Sequence, residues 1–381
     1  MASIMVSVGI AFLITLLFMF ALPPVARSVG LIDRPGGRKM HIGEIPVTGG
    51  LAMAAGLFLT SPFLLSEVPG YPFFLAALSI LVLIGALDDR FDLPASVRAL
   101  AQCCAVLIMA FGANVLVFDI GHAFFGGIAG LGWMSELFTI LIVLTAINAF
   151  NMFDGSDGVA GVQALIALVF LGFAVLIGGA TPYLPLIVSL IGCVLAFLVF
   201  NWPSPRTRIV RAFMGDAGST MLGFSLAWLS VGLSQGESRA ISPVAVLWIF
   251  ALPLFDFFSS MVRRVIDRRS PFHGDSDHLH HILRRSGLSS RRVALIILLV
   301  ASVLGVVGVG GYLAGVAEGT LFVAWLITGV TYHLIFGSGL LVQRRVVPRE
   351  AQPQPTPASA LEDTGSTSGV YPTLWRQRKR G

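Results

Sequence analysis

The chain has 381 residues, of which 56% are hydrophobic and only 12% charged, roughly half the charged share of an average soluble domain. A mean hydropathy of +0.86 excludes a soluble fold, which could not hide so much apolar surface from water. It also excludes a disordered chain, which needs low hydrophobicity and high charge. The three cysteines, Cys103, Cys104 and Cys193, all lie inside apolar runs, so a disulfide scaffold is excluded too.

Apolar runs fall near 4–26, 48–66, 72–87, 99–118, 134–150, 159–178, 184–201, 217–235, 242–260, 293–315 and 319–341. A helix needs about 20 apolar residues to cross a bilayer. The runs predict an all-α, polytopic integral membrane protein of about eleven transmembrane helices. Long continuous runs exclude a β-barrel, whose strands alternate apolar and polar residues. The first run has no basic leader region and no small-residue cleavage site, so it reads as a span rather than a removed signal. Of the 25 lysine and arginine residues, 24 fall on one set of alternate connections, and Arg239 alone lies on the other. That asymmetry puts the N-terminus outside and the C-terminus in the cytoplasm. The expected organisation is a membrane domain over 1–345 with cytoplasmic loops, then a tail over 346–381. Residues 351–369 are rich in Pro, Ser, Thr and Ala and are expected to be disordered. The basic end of the tail, Trp375–Arg380, either solubilises the chain or is drawn weakly to anionic headgroups.

The polar residues gather in five clusters on the cytoplasmic side. The first is Asp33-Arg34-Pro35-Gly36-Gly37-Arg38-Lys39-Met40-His41, a glycine-rich basic loop suited to an anion. It is also what positive-inside charge alone would give. Second is Asp88-Asp89-Arg90-Phe91-Asp92, directly after an apolar run. Adjacent carboxylates repel unless a cation or proton is near. Third is Asn148-x-x-Asn151-x-x-Asp154-Gly155-Ser156-Asp157-Gly158. If helical, this spacing stacks four oxygen-bearing side chains on one face, and hard oxygens suit Mg²⁺ or Mn²⁺ rather than zinc. The fourth cluster, Gly215-Asp216-Ala217-Gly218-Ser219, opens an apolar run. Backbone N–H groups at such a helix start attract phosphate, with Asp216 placed to hold a divalent ion against it. Fifth is the stretch from Ser270 to His281, which carries His273, His278, His280 and His281. With Arg263, Arg264, Arg268 and Arg269 it fits a phosphate or nucleotide site better than a zinc site.

Acids for a divalent cation and basic groups for phosphates, all at helix ends, suggest phosphoryl chemistry with a lipid as one substrate. A transporter would place such groups mid-membrane on broken helices, where Asp256 is the main exception. The five motifs, in this order, resemble those of the polyprenyl-phosphate N-acetylhexosamine-1-phosphate transferases, glycosyltransferase family 4, over residues 1–345. The stretches Leu83–Asp92 and Ile241–Val244 look most like the bacterial undecaprenyl-phosphate N-acetylglucosamine-1-phosphate branch. The resemblance implies transfer of GlcNAc-1-phosphate from UDP-GlcNAc to undecaprenyl phosphate, releasing UMP, as a first membrane step of an envelope glycan such as O-antigen. It implies Mg²⁺, with Mn²⁺ as a substitute, bound by Asn151 and Asp216. Asp88 and Asp89 match the pair that handles the lipid phosphate, and Asp154 and Asp157 match acids needed for activity. Lys39, His41, Asn148, Gly218, Ser219, Arg268, His278, His280 and His281 match substrate-binding positions. The expected partners are UDP-GlcNAc, undecaprenyl phosphate, the lipid bilayer and a second copy in a homodimer, with no nucleic acid. The expected place is the bacterial inner membrane, with the active site on the cytoplasmic face. Alternatives are another UDP-HexNAc or UDP-MurNAc-pentapeptide as donor, or an anionic-lipid transporter.

A phosphate monoester is largely dianionic at pH 7, so the acceptor needs little help from a base. The larger task is to bring two anions together. Loss of Asp216 is therefore expected to lower kcat more than loss of Asp88 or Asp89. Equal losses in purified Asp88→Asn, Asp89→Asn and Asp216→Asn variants would count against this.

Overall fold

A computed structural model describes residues 2–34, 43–64, 68–124, 127–204, 212–236, 239–268 and 278–337. The chain is helical almost throughout: α1 (Ala2–Val29), α2 (Gly49–Leu64), α3 (Tyr71–Phe91), α4 (Ala95–Leu107), α5 (Ser135–Phe153), α6 (Val159–Gly178), α7 (Leu184–Asn201), α8 (Gly215–Ser234), α9 (Pro243–Ile249), α10 (Ala251–Ile266), α11 (Leu279–Arg285), α12 (Ser290–Gly305), α13 (Gly311–Leu313) and α14 (Glu318–Tyr332). Two-residue strands, β1 (Ile32–Asp33) and β2 (Ile45–Pro46), pair antiparallel at the base of the first loop. The tail beyond residue 337, Lys39, His41 and residues 269–277 of the histidine loop lie outside the described residues.

Among the described residues, nine helices are long and apolar enough to cross a membrane. Among the described residues each of the eleven apolar runs contains a helix, but two of them do not form a simple span. The second gives a shorter apolar helix, Gly49–Pro62. The ninth breaks into α9 and α10, bent by 77°. Ser242 caps α9, accepting from the Ala245 N–H at 3.1 Å. Pro253 sits near the start of α10, where it lacks the N–H that would continue the α9 ladder, and its ring clashes with the carbonyl four residues back.

The centre of the bundle is α8, buried over 94% of its apolar window. Its sequence explains this. Gly218, Ser219, Gly223, Ser225 and Gly232 keep the surface low, and small residues let helix backbones approach closely inside a membrane. Gly85 of α3 meets the backbone of Ala217, and a Cβ there would come within 2.5 Å of it. Gly50 of α2 packs on Gly218 in the same way, and Gly223 faces Ile147 of α5. Around this centre α1 packs on α7 and α2, and α6 on α7 and α12. Away from the clusters, Phe74, Phe224 and Trp228 fill the core, with the Phe74 and Trp228 rings 5.3 Å apart. There Arg239 bridges Asp119 at 3.5 Å and Glu318 at 3.2 Å, tying the 113–131 loop to α14.

The α3–α8 crossing makes Gly85 the tightest test of this packing. Gly85→Ala is expected to cost about 1–3 kcal/mol by overpacking. Gly172→Ala, whose Cβ would only touch Ile187 at 3.4 Å, serves as the control. Melting temperatures in detergent check this: the first variant should melt well below the second.

Candidate active site

The α8 start organises the site. Asp89, in the last turn of α3 rather than in the loop after it, accepts from the Asp216 N–H at 2.8 Å and the Ala217 N–H at 3.2 Å. A helix start leaves unpaired donors, and here a carboxylate from another helix takes two of them. The expectation of a phosphate at this helix start is therefore corrected, because Asp89 occupies those donors. Gly215 adopts φ +71°, a left-handed conformation that brings the chain against Val47 and Asp89. The first loop is tied in as well: Gly49 N–H donates to the Phe213 carbonyl and Gly50 N–H to that of Met214, both at 2.9 Å.

Asp88, one residue earlier, faces elsewhere. It accepts from the Leu93 N–H at 2.7 Å and pairs with Arg98 of α4 at 3.0 Å. The same Arg98 nitrogen lies 3.4 Å from Asp216, so one guanidinium bridges two carboxylates. Asn151 donates to Asp216 at 2.9 Å and to Ser219 at 2.8 Å. Asn148 donates to Gln102 of α4 at 2.7 Å.

The four-residue stack expected on one helix face is only half formed. Asn148 and Asn151 lie on α5, but the helix ends at Phe153, Asp154 is its C-cap, and the chain turns through Gly155 to Gly158. Gly158 takes φ +80° to start α6, and its N–H donates to Asn201 at 2.7 Å. Asp154 and Asp157 are thus carried on a turn rather than on the helix. Burial pushes the Asp154 carboxyl up to about 8, with the charges of Asp216, Asp89 and Asp157 adding.

The histidines come from the opposite side. His278 precedes α11, and His280 and His281 lie within it. The His278 and His280 rings are parallel, 5.9 Å apart, and His281 lies 4.2 Å from His280. His280 is fully buried beside Gly155. Burial holds it down at about 3, with His281 adding, so it is a neutral imidazole near pH 7. Among the described residues neither of its nitrogens has a hydrogen-bond partner.

Between these two sides lies a cavity of about 780 Å³. Asp88, Arg98, Asn151 and Asp216 line one part of it and His278, His280 and His281 another, while its walls are apolar side chains such as Leu81, Ile84, Leu144 and Phe257. Asn148 also lines it. Asp89, Asp154, Asp157 and Ser219 are not among the residues that line it, and Gly218 sits in the α2–α8 contact. Arg268 is exposed past the end of α10 with φ +55°. Arg264, one turn back, is buried and lines the cavity instead. Sequence reasoning missed Arg98 and Gln102, which look like ordinary residues of an amphipathic helix. Among the described residues no group of three or more His, Cys, Asp or Glu side chains converges on one point. Asp88 and Asp216, with Asn151 beside them, are the acids among the described residues that line the cavity.

A model of glycosyl transferase family 4 matches residues 71–234. The undecaprenyl-phosphate alpha-N-acetylglucosaminyl 1-phosphate transferase of Escherichia coli O157:H7 is 37% identical over 322 residues, 84% of this chain and 88% of that protein. The chain belongs to glycosyl transferase family 4. The similarly named proteins of Yersinia pestis and Haemophilus influenzae are each 34% identical, over 322 and 328 residues. The first alignment covers 84% of this chain and 88% of its relative, and the second 86% and 92%. As a family 4 member the chain is a multi-pass membrane transferase, and the family match spans the two acids of α3, the α5 asparagines and Asp216.

The place of Asp89 predicts a contrast between two substitutions. Asp89 accepts one N–H on each carboxylate oxygen; Asn keeps one acceptor but turns an NH₂ toward the other N–H, and Ala keeps neither, at a cost of about 1 kcal/mol per lost capping bond. Asp89→Ala should therefore lower both melting temperature and transferase activity, and Asp89→Asn should lower both by less. Equal inactivation of the two, with unchanged melting temperatures, would instead make the carboxylate itself a reacting group.

Proposed function

We propose that this chain transfers GlcNAc-1-phosphate from UDP-GlcNAc to undecaprenyl phosphate, on the cytoplasmic face of a bacterial inner membrane. The carrying observation is one cavity that combines an acid–arginine group, three imidazoles and apolar walls. The activity for which the relatives are named supports the same reading.

In this reading the polyprenyl chain lies along the apolar walls, and its phosphate sits near Arg98 and Asp88. The donor diphosphate sits near His278, His280, His281 and Arg264. A phosphate oxygen of the acceptor attacks the sugar-bound phosphorus of the donor. The bond from that phosphorus to the bridging oxygen breaks, and UMP leaves with that oxygen. The dianionic acceptor is already a competent nucleophile, so the protein's work is to align the two substrates and offset their repulsion.

Arg98 offsets part of the charge of Asp88 and Asp216. Two carboxylates with an amide oxygen nearby fit Mg²⁺, which is usually held by one or two carboxylates plus substrate phosphates. Asp216, Asn151 and Asp88 would hold it, and it would supply the charge neutralisation that phosphoryl transfer needs. The product would feed an envelope glycan such as O-antigen.

The test is UMP release by the purified chain with Mg²⁺, undecaprenyl phosphate and a panel of UDP-sugars. UMP with UDP-GlcNAc and loss of release on chelation are expected. Release only with another UDP-sugar would change the donor. No release from folded protein with any donor would overturn the reading and favour an anionic-lipid transporter.

A further inference from the structure

The transfer reaction leaves Asp256 without a use. This acid stands within α10 and is only 4% exposed. A carboxylate inside a membrane protein is costly unless donors saturate it. Three do so here. His278 Nδ1 lies 2.8 Å from Oδ2, and the Leu279 N–H donates to Oδ1 at 2.9 Å. The Tyr332 hydroxyl donates to Oδ1 at 2.8 Å. The acid thus joins α10, the entry to α11 and the end of α14. His278 lines the cavity, whereas Asp256 and Tyr332 do not.

A simple staple between helices would need only Tyr332 and the Leu279 backbone. The remaining bond goes to a ring nitrogen at the site. The nitrogen that a histidine offers is set by the bond its other nitrogen makes. The consequence extends past one residue. His278 lies parallel to His280, a buried imidazole whose nitrogens find no partner among the described residues and which lines the same cavity.

We infer that Asp256 is a positioning residue for the transfer: by holding His278 Nδ1 it fixes the ring's orientation, so that Nε2 faces the diphosphate of the nucleotide-sugar donor. This rests on the transfer reaction proposed above. Asp256 does not itself touch either substrate. In Asp256→Asn the amide can keep an acceptor for Leu279 and Tyr332. Its NH₂ then faces the Nδ1–H, donor against donor, so the ring gives up either this orientation or its Nδ1 proton.

The test uses the full chain in lipid nanodiscs, with UMP release followed while UDP-GlcNAc and undecaprenyl phosphate are varied separately. Asp256→Asn is expected to lower kcat/KM for the donor about 10- to 100-fold, as for loss of a charge-assisted hydrogen bond. The KM for undecaprenyl phosphate should stay within about twofold, because that interaction is untouched. In a His278→Ala background the same substitution should add less than about twofold, since the two residues act as one unit. Additive losses in the double variant, or equal effects on both substrates, would reduce Asp256 to a staple and overturn the inference. If Asp256→Asn does not yield folded protein, Asp256→Glu takes its place, with its oxygens displaced by one methylene. Unchanged donor kcat/KM in the variant that folds also overturns the inference. Absence of UMP from the wild-type chain would instead overturn the reaction, and this inference with it.

Discussion

The site depends on how the start of α8 is satisfied. That helix begins inside the protein, where its unpaired N–H groups need partners. Asp89 supplies two bonds from α3, and Gly85 lets α3 come close enough to do so. Successive residues on a helix point about 100° apart. Asp88 therefore turns to Arg98 and the cavity while Asp89 turns to α8. Two acids that look equivalent in sequence thus divide into one that lines the cavity and one that does not.

The second constraint is charge. Asp88, Asp89, Asp154 and Asp216 crowd one side, and Arg98 is the cation that bridges two of them. Burial first, and the neighbouring carboxylates after it, push the Asp154 carboxyl up. On the other side burial keeps His280 neutral, so it offers a hydrogen bond rather than a charge. In the proposed reaction an anionic pair of substrates enters between the acid–arginine group and the buried imidazole, groups already held in place. That is the setting in which preorganised groups act most strongly.

Much of the fold was legible in the sequence, because a membrane span writes itself as a run of apolar residues. Among the described residues all eleven runs contain a helix, nine of them as simple spans. The short α2 and the α9–α10 bend were not legible, since hydropathy counts apolar residues and says nothing of direction. Pro253 was the available signal for the bend. Within the site, spacing rightly placed Asn148 and Asn151 on one helix face. It failed at Asp154 and Asp157, where Gly155 and Gly158 end one helix and start the next. Asp256 was visible as a lone acid in an apolar run. Its partners were not, since Tyr332 is 76 residues away.

The sequence by itself determined the membrane class, the helical segmentation, the chemical types gathered at the helix ends and the family. These are properties of composition and local order. The tertiary structure alone decided which acid caps α8, which faces Arg98, that Arg264 rather than Arg268 reaches the cavity, and that Asp256 holds His278. Each of those is a contact between elements far apart in the chain. It is fixed by how closely small residues let the helices approach and by the need of every buried polar group for a partner.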